Sequence, residues 1–211
     1  MPDYNLATKM AYLYLVLYAP PVLPIDVFSL IRQSEKKIKI MTFSSWKKKL
    51  KIEGEMIDIF GSEYGITIYD TKKKIYLIII NDKKCRCTQR WTIAHELGHI
   101  FLGHLENEEY ISNRRSVTEC VESFLNNSGD KFEKEANTFA KHLLAPFPII
   151  KKIAEALGGY NIQPYILEEI FEISSPASNN IINHLNKLHY LPSNPILEEK
   201  FYNALFGTDN Y

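Results

Sequence analysis

The chain has 211 residues, of which 45% are hydrophobic and 24% are charged, so its composition is that of an ordinary soluble globular protein that folds by itself. This length allows one well-filled hydrophobic core, or a core with a small appendage. The formal net charge is zero, although residues 1–100 carry +6 and the remainder carries −6. The lysine clusters of the first half could attract an acidic partner or nucleic acid, but solvated loops and turns account for them more simply.

The cysteines and the first apolar run both predict a cytoplasmic protein. Cys85, Cys87 and Cys120 are an odd number and lack the Cys-x-x-Cys spacing, so we expect ordinary thiols in a reducing compartment rather than disulfides. The apolar run from Met10 to Leu23 is about 14 residues long and is interrupted by prolines, whereas a membrane span needs about 20 residues. It also lacks the basic start of a secretion signal.

The first 50 residues are predicted to be mainly helical. A helix over Asn5–Tyr18 ends before the proline-rich segment 20–24, because proline lacks a backbone donor and disfavours helical neighbours. Asp26 can cap a shorter helix, and the less regular segment that follows suggests a strand over Ile38–Phe43 and a helix over Trp46–Leu50. Apolar residues of the first helix recur with helical spacing, which predicts one buried stripe of Leu6, Met10, Leu13 and Leu17.

Two further strands are predicted immediately before the most informative stretch of the sequence. Tyr64–Tyr69 alternates between apolar and polar residues, and Ile75–Ile80 is apolar throughout. Residues 70–74 form the turn between them. The pair therefore predicts an antiparallel hairpin that places a buried strand directly before the next helix.

The run from Arg90 to Leu102 contains the pattern His-Glu-x-x-His. On an α-helix, His95 and His99 lie about 40° apart around the axis, so both imidazoles can reach one metal ion, and Glu96 points at the same cleft. Two histidines can also be hydrogen-bonded core residues, but uncharged flanks favour a buried helix whose polar groups converge on a ligand. This pattern is typical of zinc peptidases.

A catalytic zinc ion needs a third protein ligand. His104 is nearest, but its spacing is one residue off the metzincin pattern. In the gluzincin arrangement a separate helix contributes a glutamate, and a polar residue four positions later steadies a ligand histidine. On the predicted helix that ends at Pro146, Glu133 and Asn137 have this spacing, so Glu133 is the preferred ligand and Asn137 can accept a hydrogen bond from a ligand histidine. Glu135 is the second choice, because it points roughly 200° away from Glu133. The apolar stripe of this helix comprises Phe132, Ala136, Phe139, Ala140 and Leu143.

The stretches 90–104 and 133–146 together resemble the ImmA/IrrE family of zinc metallopeptidases, which have a gluzincin-like site. This resemblance implies that His95, His99 and Glu133 bind Zn²⁺ and that Glu96 is the catalytic glutamate. It also implies an α+β fold: a small zincin-like metallopeptidase core, mostly helical with a small antiparallel sheet, over residues 1–150. Residues 151–211 would form a helical C-terminal appendage. Between the two motifs, residues 106–130 suggest an exposed connection with a helical segment over 117–125.

The C-terminal region contains a helix-turn-helix-like element over residues 170–188, followed by a closing amphipathic helix over 195–206. The second helix of this element is rich in asparagine and poor in cations, whereas DNA binding relies on cations at phosphates. We therefore expect a packing or partner-docking role, with nucleic acid unlikely as a direct ligand.

The predicted function is zinc-dependent intracellular endopeptidase activity. The resemblance implies site-specific cleavage of an Xre-type helix-turn-helix repressor or antitoxin, in a mobile-element or stress-response switch. Two alternatives stay open, namely a non-catalytic scaffold that keeps the zinc-peptidase fold, and a DNA-binding regulator. The residue that assists the oxyanion is also open among His104, His142 and several tyrosines.

Overall fold

The computed structural model describes residues 1–107, 110, 131–159, 162–188, 190 and 192–207. The predicted helical segment over 117–125 lies outside these residues. The predicted α+β class is confirmed, since the described residues form one small three-stranded sheet and a larger number of helices. In chain order the elements are α1 (Tyr4–Tyr18), α2 (Val27–Gln33), β1 (Lys37–Thr42), α3 (Phe43–Leu50), α4 (Met56–Phe60), β2 (Gly65–Asp70), β3 (Ile75–Ile80), α5 (Arg86–Phe101), a 3₁₀ turn (His104–Glu106), α6 (Lys131–Leu144), α7 (Phe147–Ala156), α8 (Pro164–Phe171), α9 (Ser175–Leu185), α10 (Pro195–Lys200) and α11 (Tyr202–Phe206).

Helix α1 has the predicted extent, but the predicted buried stripe is wrong. Leu6, Leu13 and Leu17 are about half exposed, with exposed fractions of 48%, 46% and 56%. The helix is apolar on most of its surface, so the sequence pattern does not select one face. The buried face consists of Ala7, Ala11 and Leu15. Its two alanines permit close packing.

The sheet has the order β1-β3-β2 and is mixed. The predicted hairpin is confirmed, because β2 and β3 pair antiparallel with Thr67 opposite Ile78. The sheet as a whole is not antiparallel, because β1 pairs parallel with β3, with Ile40 opposite Ile78. The central strand β3 is the most buried of the three, in agreement with its continuous apolar sequence.

Two glycines allow helix α5 to pack closely against its neighbours. A Cβ atom on Gly65 of β2 would lie 2.4 Å from Thr92 Cγ2, and one on Gly98 would lie 2.9 Å from Ala136 Cα on α6. At Gly65 an added Cβ would collide with the Thr92 side chain, and at Gly98 it would collide with the backbone of α6, so glycine permits the close approach at both positions. The predicted stripe of α6 is buried as expected, and the rings of Phe101 and Phe139 pack 5.9 Å apart. These contacts set α5 between the hairpin and α6.

The chain forms two compact units. One comprises residues 1–10 and 34–140, and the other comprises residues 11–33 and 141–211. Their boundaries do not coincide with the predicted division after residue 150, which stays a prediction about domains. Among the described residues, no helix combines the length and the apolar character that crossing a bilayer requires.

In the second unit, the helix-turn-helix-like element is formed by α8 and α9. The Ser178 hydroxyl on α9 donates a 2.7 Å hydrogen bond to the Glu168 carboxylate on α8, and Phe171 is fully buried. The predicted closing helix is broken into α10 and α11 at Phe201, whose ring is also buried. Lys152 of α7 forms a 3.4 Å ion pair with Glu198 of α10.

Candidate metal centre

Helix α5 carries both histidines of the sequence pattern, one turn apart. Their Nε2 atoms lie only 3.0 Å from each other. His99 is 2% exposed, and the His95 side chain is also largely buried. Buried imidazoles need polar partners, because an unsatisfied polar group inside a protein is costly. The two Nε2 atoms therefore lie close enough to share a polar partner or a metal ion.

Glu133, in the first turn of α6, supplies that group. Its carboxylate oxygens lie 3.2 Å from His95 Nε2 and 3.4 Å from His99 Nε2. The ligand atoms of all three residues fall within 4.8 Å of one another. Among the described residues, this is the one group of three or more histidine, cysteine or acidic side chains so arranged. Its members are those that the sequence pattern predicts.

These donors fit a divalent ion such as zinc. Ligand atoms around a tetrahedral zinc ion with bonds of about 2.1 Å lie about 3.4 Å apart, and the observed separations are 3.0, 3.2 and 3.4 Å. Two imidazoles and one carboxylate are also a donor set found in catalytic zinc sites, where a fourth position stays open to water or substrate. The site is thus suited to a catalytic ion.

Asn137 fixes the orientation of the first histidine. Its side-chain oxygen lies 2.9 Å from His95 Nδ1. An amide oxygen only accepts hydrogen bonds, so His95 carries its proton on Nδ1 and keeps the Nε2 lone pair for a metal. Asn137 thus contacts a ligand histidine, as its i, i+4 spacing from Glu133 predicts.

The electrostatics of this centre favour positive charge at its middle. Burial acts to raise the pKa of the Glu133 carboxyl, but the neighbouring His99 and His95 outweigh burial and hold the pKa well below its usual range. For His95, burial acts to lower the pKa, and the contact with Glu133 reverses the net shift so that the pKa is raised. Each partner stabilises the charged form of the other. A divalent cation between them would have the same favourable interactions.

His104 and Glu135, the other two candidates for the third ligand, form a separate pair. His104 is 3% exposed, and its Nε2 lies 3.0 Å from Glu135 Oε2. Its Nδ1 lies 3.0 Å from His99 Nδ1, on the side of that ring away from Glu133. Both ring nitrogens of His104 are thus engaged, which argues against its assisting an oxyanion. His142 belongs to the second compact unit, where its Nδ1 lies 3.0 Å from the Tyr12 hydroxyl.

Glu96 has a partner that the sequence pattern does not reveal. Its carboxylate is 6% exposed and accepts a 2.6 Å hydrogen bond from the hydroxyl of Thr67 on β2. Thr67 is itself 1% exposed and faces α5 from the edge strand of the sheet. Alternation within β2 is the only sequence signal for its inward direction. The hydrogen bond fixes one oxygen of Glu96, and the other oxygen has no hydrogen-bond partner among the described residues.

Two histidines and a glutamate at a His-Glu-x-x-His helix, beside a small mixed sheet, define a zincin-like metallopeptidase core. The chain belongs to the Peptidase_M78 family, since the sequence profile described as the IrrE N-terminal-like domain matches residues 37–174. The matched segment contains β1, the hairpin, α5 and α6, and therefore every residue of the candidate centre. No curated protein matches the chain. The family membership indicates a metallopeptidase, in agreement with the resemblance of the two motifs.

Proposed function

We propose that the protein is a zinc-dependent endopeptidase whose metal ligands are His95, His99 and Glu133. The observation that carries this proposal is the convergence of three donor atoms at 3.0–3.4 Å beside a buried, hydrogen-bonded glutamate. A histidine cluster that served packing alone would not need a carboxylate at this position. A purely structural zinc site would use a fourth protein ligand.

Glu96 is the proposed general base and acid. Bound zinc would act as a Lewis acid, with a site charge of about +1 that lowers the pKa of water at the centre towards about 7. Glu96 accepts the proton of the attacking water and then delivers it to the amine of the leaving peptide. Thr67 holds the carboxylate during both transfers through its buried hydrogen bond.

The edge strand β2 is the proposed place for the substrate backbone. It lies at one side of the sheet order β1-β3-β2, and Thr67 connects it directly to Glu96. A peptide in extended conformation can pair with such an edge by main-chain hydrogen bonds. This would bring its scissile bond to the side of the sheet that faces α5. A substrate would then need an extended or unfolded segment.

The proposed substrate is an Xre-type helix-turn-helix repressor or antitoxin in the cytoplasm, cleaved at one site to switch a mobile element or a stress response. This part rests on the resemblance to the ImmA/IrrE family. A DNA-binding role through residues 170–188 is the alternative, and it predicts salt-dependent binding to duplex DNA without any partner. A non-catalytic scaffold is the other alternative, and it predicts metal binding without cleavage.

The test combines metal analysis with co-expression. The protein is purified and its zinc content is measured, and it is then co-expressed in turn with the Xre-type repressors of its own organism. We expect about one zinc ion per chain and a repressor fragment that is missing with Glu96→Gln. Zinc binding without Glu96-dependent cleavage of any such repressor contradicts the substrate proposal. Zinc binding that survives Glu133→Ala unchanged contradicts the ligand assignment.

A further inference from the structure

A continuous line of hydrogen bonds runs outward from His99. Its Nδ1 lies 3.0 Å from His104 Nδ1, and His104 Nε2 lies 3.0 Å from Glu135 Oε2. The other oxygen of Glu135 accepts a 2.7 Å hydrogen bond from the backbone N–H of Asp3. Both oxygens of this carboxylate are therefore used by N–H donors, and the three side chains form one chain of contacts.

The Glu135 carboxylate determines which atom is the donor in each hydrogen bond of this line. An ionised carboxylate has only acceptors, so His104 must carry its proton on Nε2. The Nδ1 lone pair of His104 then accepts the proton of His99 Nδ1. As a result, His99 presents an unprotonated Nε2 towards His95 and Glu133.

Aromatic rings cover the two histidines of this line. The ring of Tyr110 lies 5.0 Å from the ring of His99, and Phe132 lies 5.0 Å from His104 with a T-shaped geometry. Both aromatic residues are about 5% exposed. Each ring nitrogen of His104 has one partner at 3.0 Å, namely His99 Nδ1 for Nδ1 and Glu135 Oε2 for Nε2. A neutral ring has one donor and one acceptor, as the line requires.

We propose that Glu135 and His104 are positioning residues that set the tautomer of His99 and thereby strengthen metal binding. The inference rests on the proposed metal site and adds to it a support for the second histidine. Asn137 supports His95 through one hydrogen bond, whereas His99 is supported through a relay of two side chains. Residues that orient a metal-bound histidine typically change metal affinity by about 10- to 100-fold.

The substitution Glu135→Gln tests which atoms are the donors in these hydrogen bonds, and it changes the shape of the side chain very little. A glutamine places an NH₂ group against either Asp3 N–H or His104 Nε2–H, so one donor meets another donor. To relieve this, His104 can move its proton to Nδ1, which forces His99 to protonate Nε2 and lose its metal-facing lone pair. We expect zinc affinity, measured by competition with a chromophoric chelator, to fall about 10- to 100-fold. The matched control is Glu155→Gln, at an exposed glutamate that pairs with Lys152.

His104 provides two further variants. His104→Phe keeps a ring against Phe132 but removes both nitrogens, so zinc affinity should fall at least as far as in Glu135→Gln. His104→Asn restores an acceptor near the position of Nδ1, and we expect it to recover part of the affinity. Long-range ¹H–¹⁵N spectra of the histidine rings report the tautomer directly, with His99 protonated on Nδ1 in the parent and mixed in His104→Phe.

Two results separate this inference from the proposed function. A parent protein that does not bind zinc overturns the metal site itself. A parent that binds zinc, together with Glu135→Gln and His104→Phe variants of equal affinity and unchanged His99 tautomer, overturns only the relay.

Discussion

Gly98 on α5 and Ala136 on α6 are in backbone contact. A Cβ at Gly98 would lie 2.9 Å from Ala136 Cα and 3.1 Å from Ala136 O. Both atoms belong to the backbone and cannot rotate away, so any side chain at residue 98 pushes α6 outward. Glu133 lies three residues before Ala136 on the same helix. The distance between the two helices therefore controls how closely the carboxylate approaches His95 and His99.

The first prediction is that Gly98→Ala weakens both stability and metal binding. Forcing a methyl group into this contact should cost about 1–3 kcal/mol in the free energy of unfolding, measured by denaturant titration with chelator present. Zinc affinity should fall as well, because Glu133 moves with α6. The control is Gly159→Ala, where an added Cβ meets nothing within 4 Å, and the expected change is below about 0.5 kcal/mol. Normal zinc affinity in Gly98→Ala would show that the helix spacing does not limit the site.

The second prediction concerns Glu96→Gln. The amide keeps the shape and can still accept the Thr67 hydrogen bond, but it cannot accept a proton from water. We expect peptide hydrolysis to fall by at least about 10²- to 10⁴-fold, the usual contribution of a general base. Zinc affinity should be unchanged, because Glu96 is not among the three converging donors. Cleavage at the parent rate would rule out Glu96 as the base.

The third prediction concerns the hydrogen bond between Thr67 and Glu96. Thr67→Val has nearly the same volume but leaves a buried carboxylate oxygen without its donor. Hydrogen bonds to charged groups are worth about 1.5–3 kcal/mol, so kcat should fall by about 10- to 100-fold. KM should change little, since the lost bond holds Glu96 rather than substrate.

The matched variant for this test is Thr67→Ser, which retains the hydroxyl and should recover most of kcat. Full activity in Thr67→Val would show that the hydroxyl does not support Glu96, and a serine variant as inactive as the valine variant would show that the hydroxyl alone is not sufficient. A parallel measurement of thermal unfolding distinguishes local loss of the hydrogen bond from general destabilisation of β2.

The fourth prediction is a pH dependence of stability through His142. Burial, with additional repulsion from Lys141 and His184, lowers the pKa of His142 to about 3, whereas a histidine in an unfolded chain titrates near about 6.5. Between these values the unfolded chain binds more protons than the folded chain. The free energy of unfolding therefore decreases as pH falls from about 6.5 towards 3, by up to roughly 1.4 kcal/mol per pH unit from this residue.

The measurement compares unfolding of the parent and His142→Asn at several pH values, with chelator in both samples. Asparagine can still accept the hydrogen bond from Tyr12, which lies 3.0 Å from His142 Nδ1. Other histidines contribute equally to both proteins, so the difference between the two slopes isolates His142. Equal slopes in parent and variant would show that His142 is not kept neutral by burial.

The helices that carry the candidate centre could be predicted from sequence because their patterns are local. Helical spacing alone places His95, Glu96 and His99 on one side of α5, and the i, i+4 spacing relates Glu133 to Asn137. The hairpin could be predicted for the same reason, since alternation in β2 and a short turn are properties of neighbouring residues. Each of these features depends on residues that lie close to one another in the chain.

The remaining features depend on residues far apart in the chain. Thr67 and Glu96 are separated by 29 residues, and His104 and Glu135 by 31. No spacing rule connects such pairs, so the partner of Glu96 and the pairing of His104 with Glu135 were not predictable. The parallel pairing of β1 with β3 likewise has no signal in the sequence of either strand. For α1, leucines on several sides suggested the wrong face, since close packing of Ala7 and Ala11 decides burial there.

Helix α6 contacts the histidines through every second residue from 133 to 137, which is about one and a half helical turns. Glu133 meets His95 and His99, Glu135 meets His104, and Asn137 meets His95. This one segment of α6 therefore contacts all three histidines. If it moves away from α5, the centre loses the Glu133 carboxylate and both supporting contacts together. A metal that binds only the docked form stabilises it in proportion to the logarithm of metal concentration. Scarcity of the ion would then loosen α6 and expose it to degradation, which would make the lifetime of the protein, as well as its activity, a readout of metal supply.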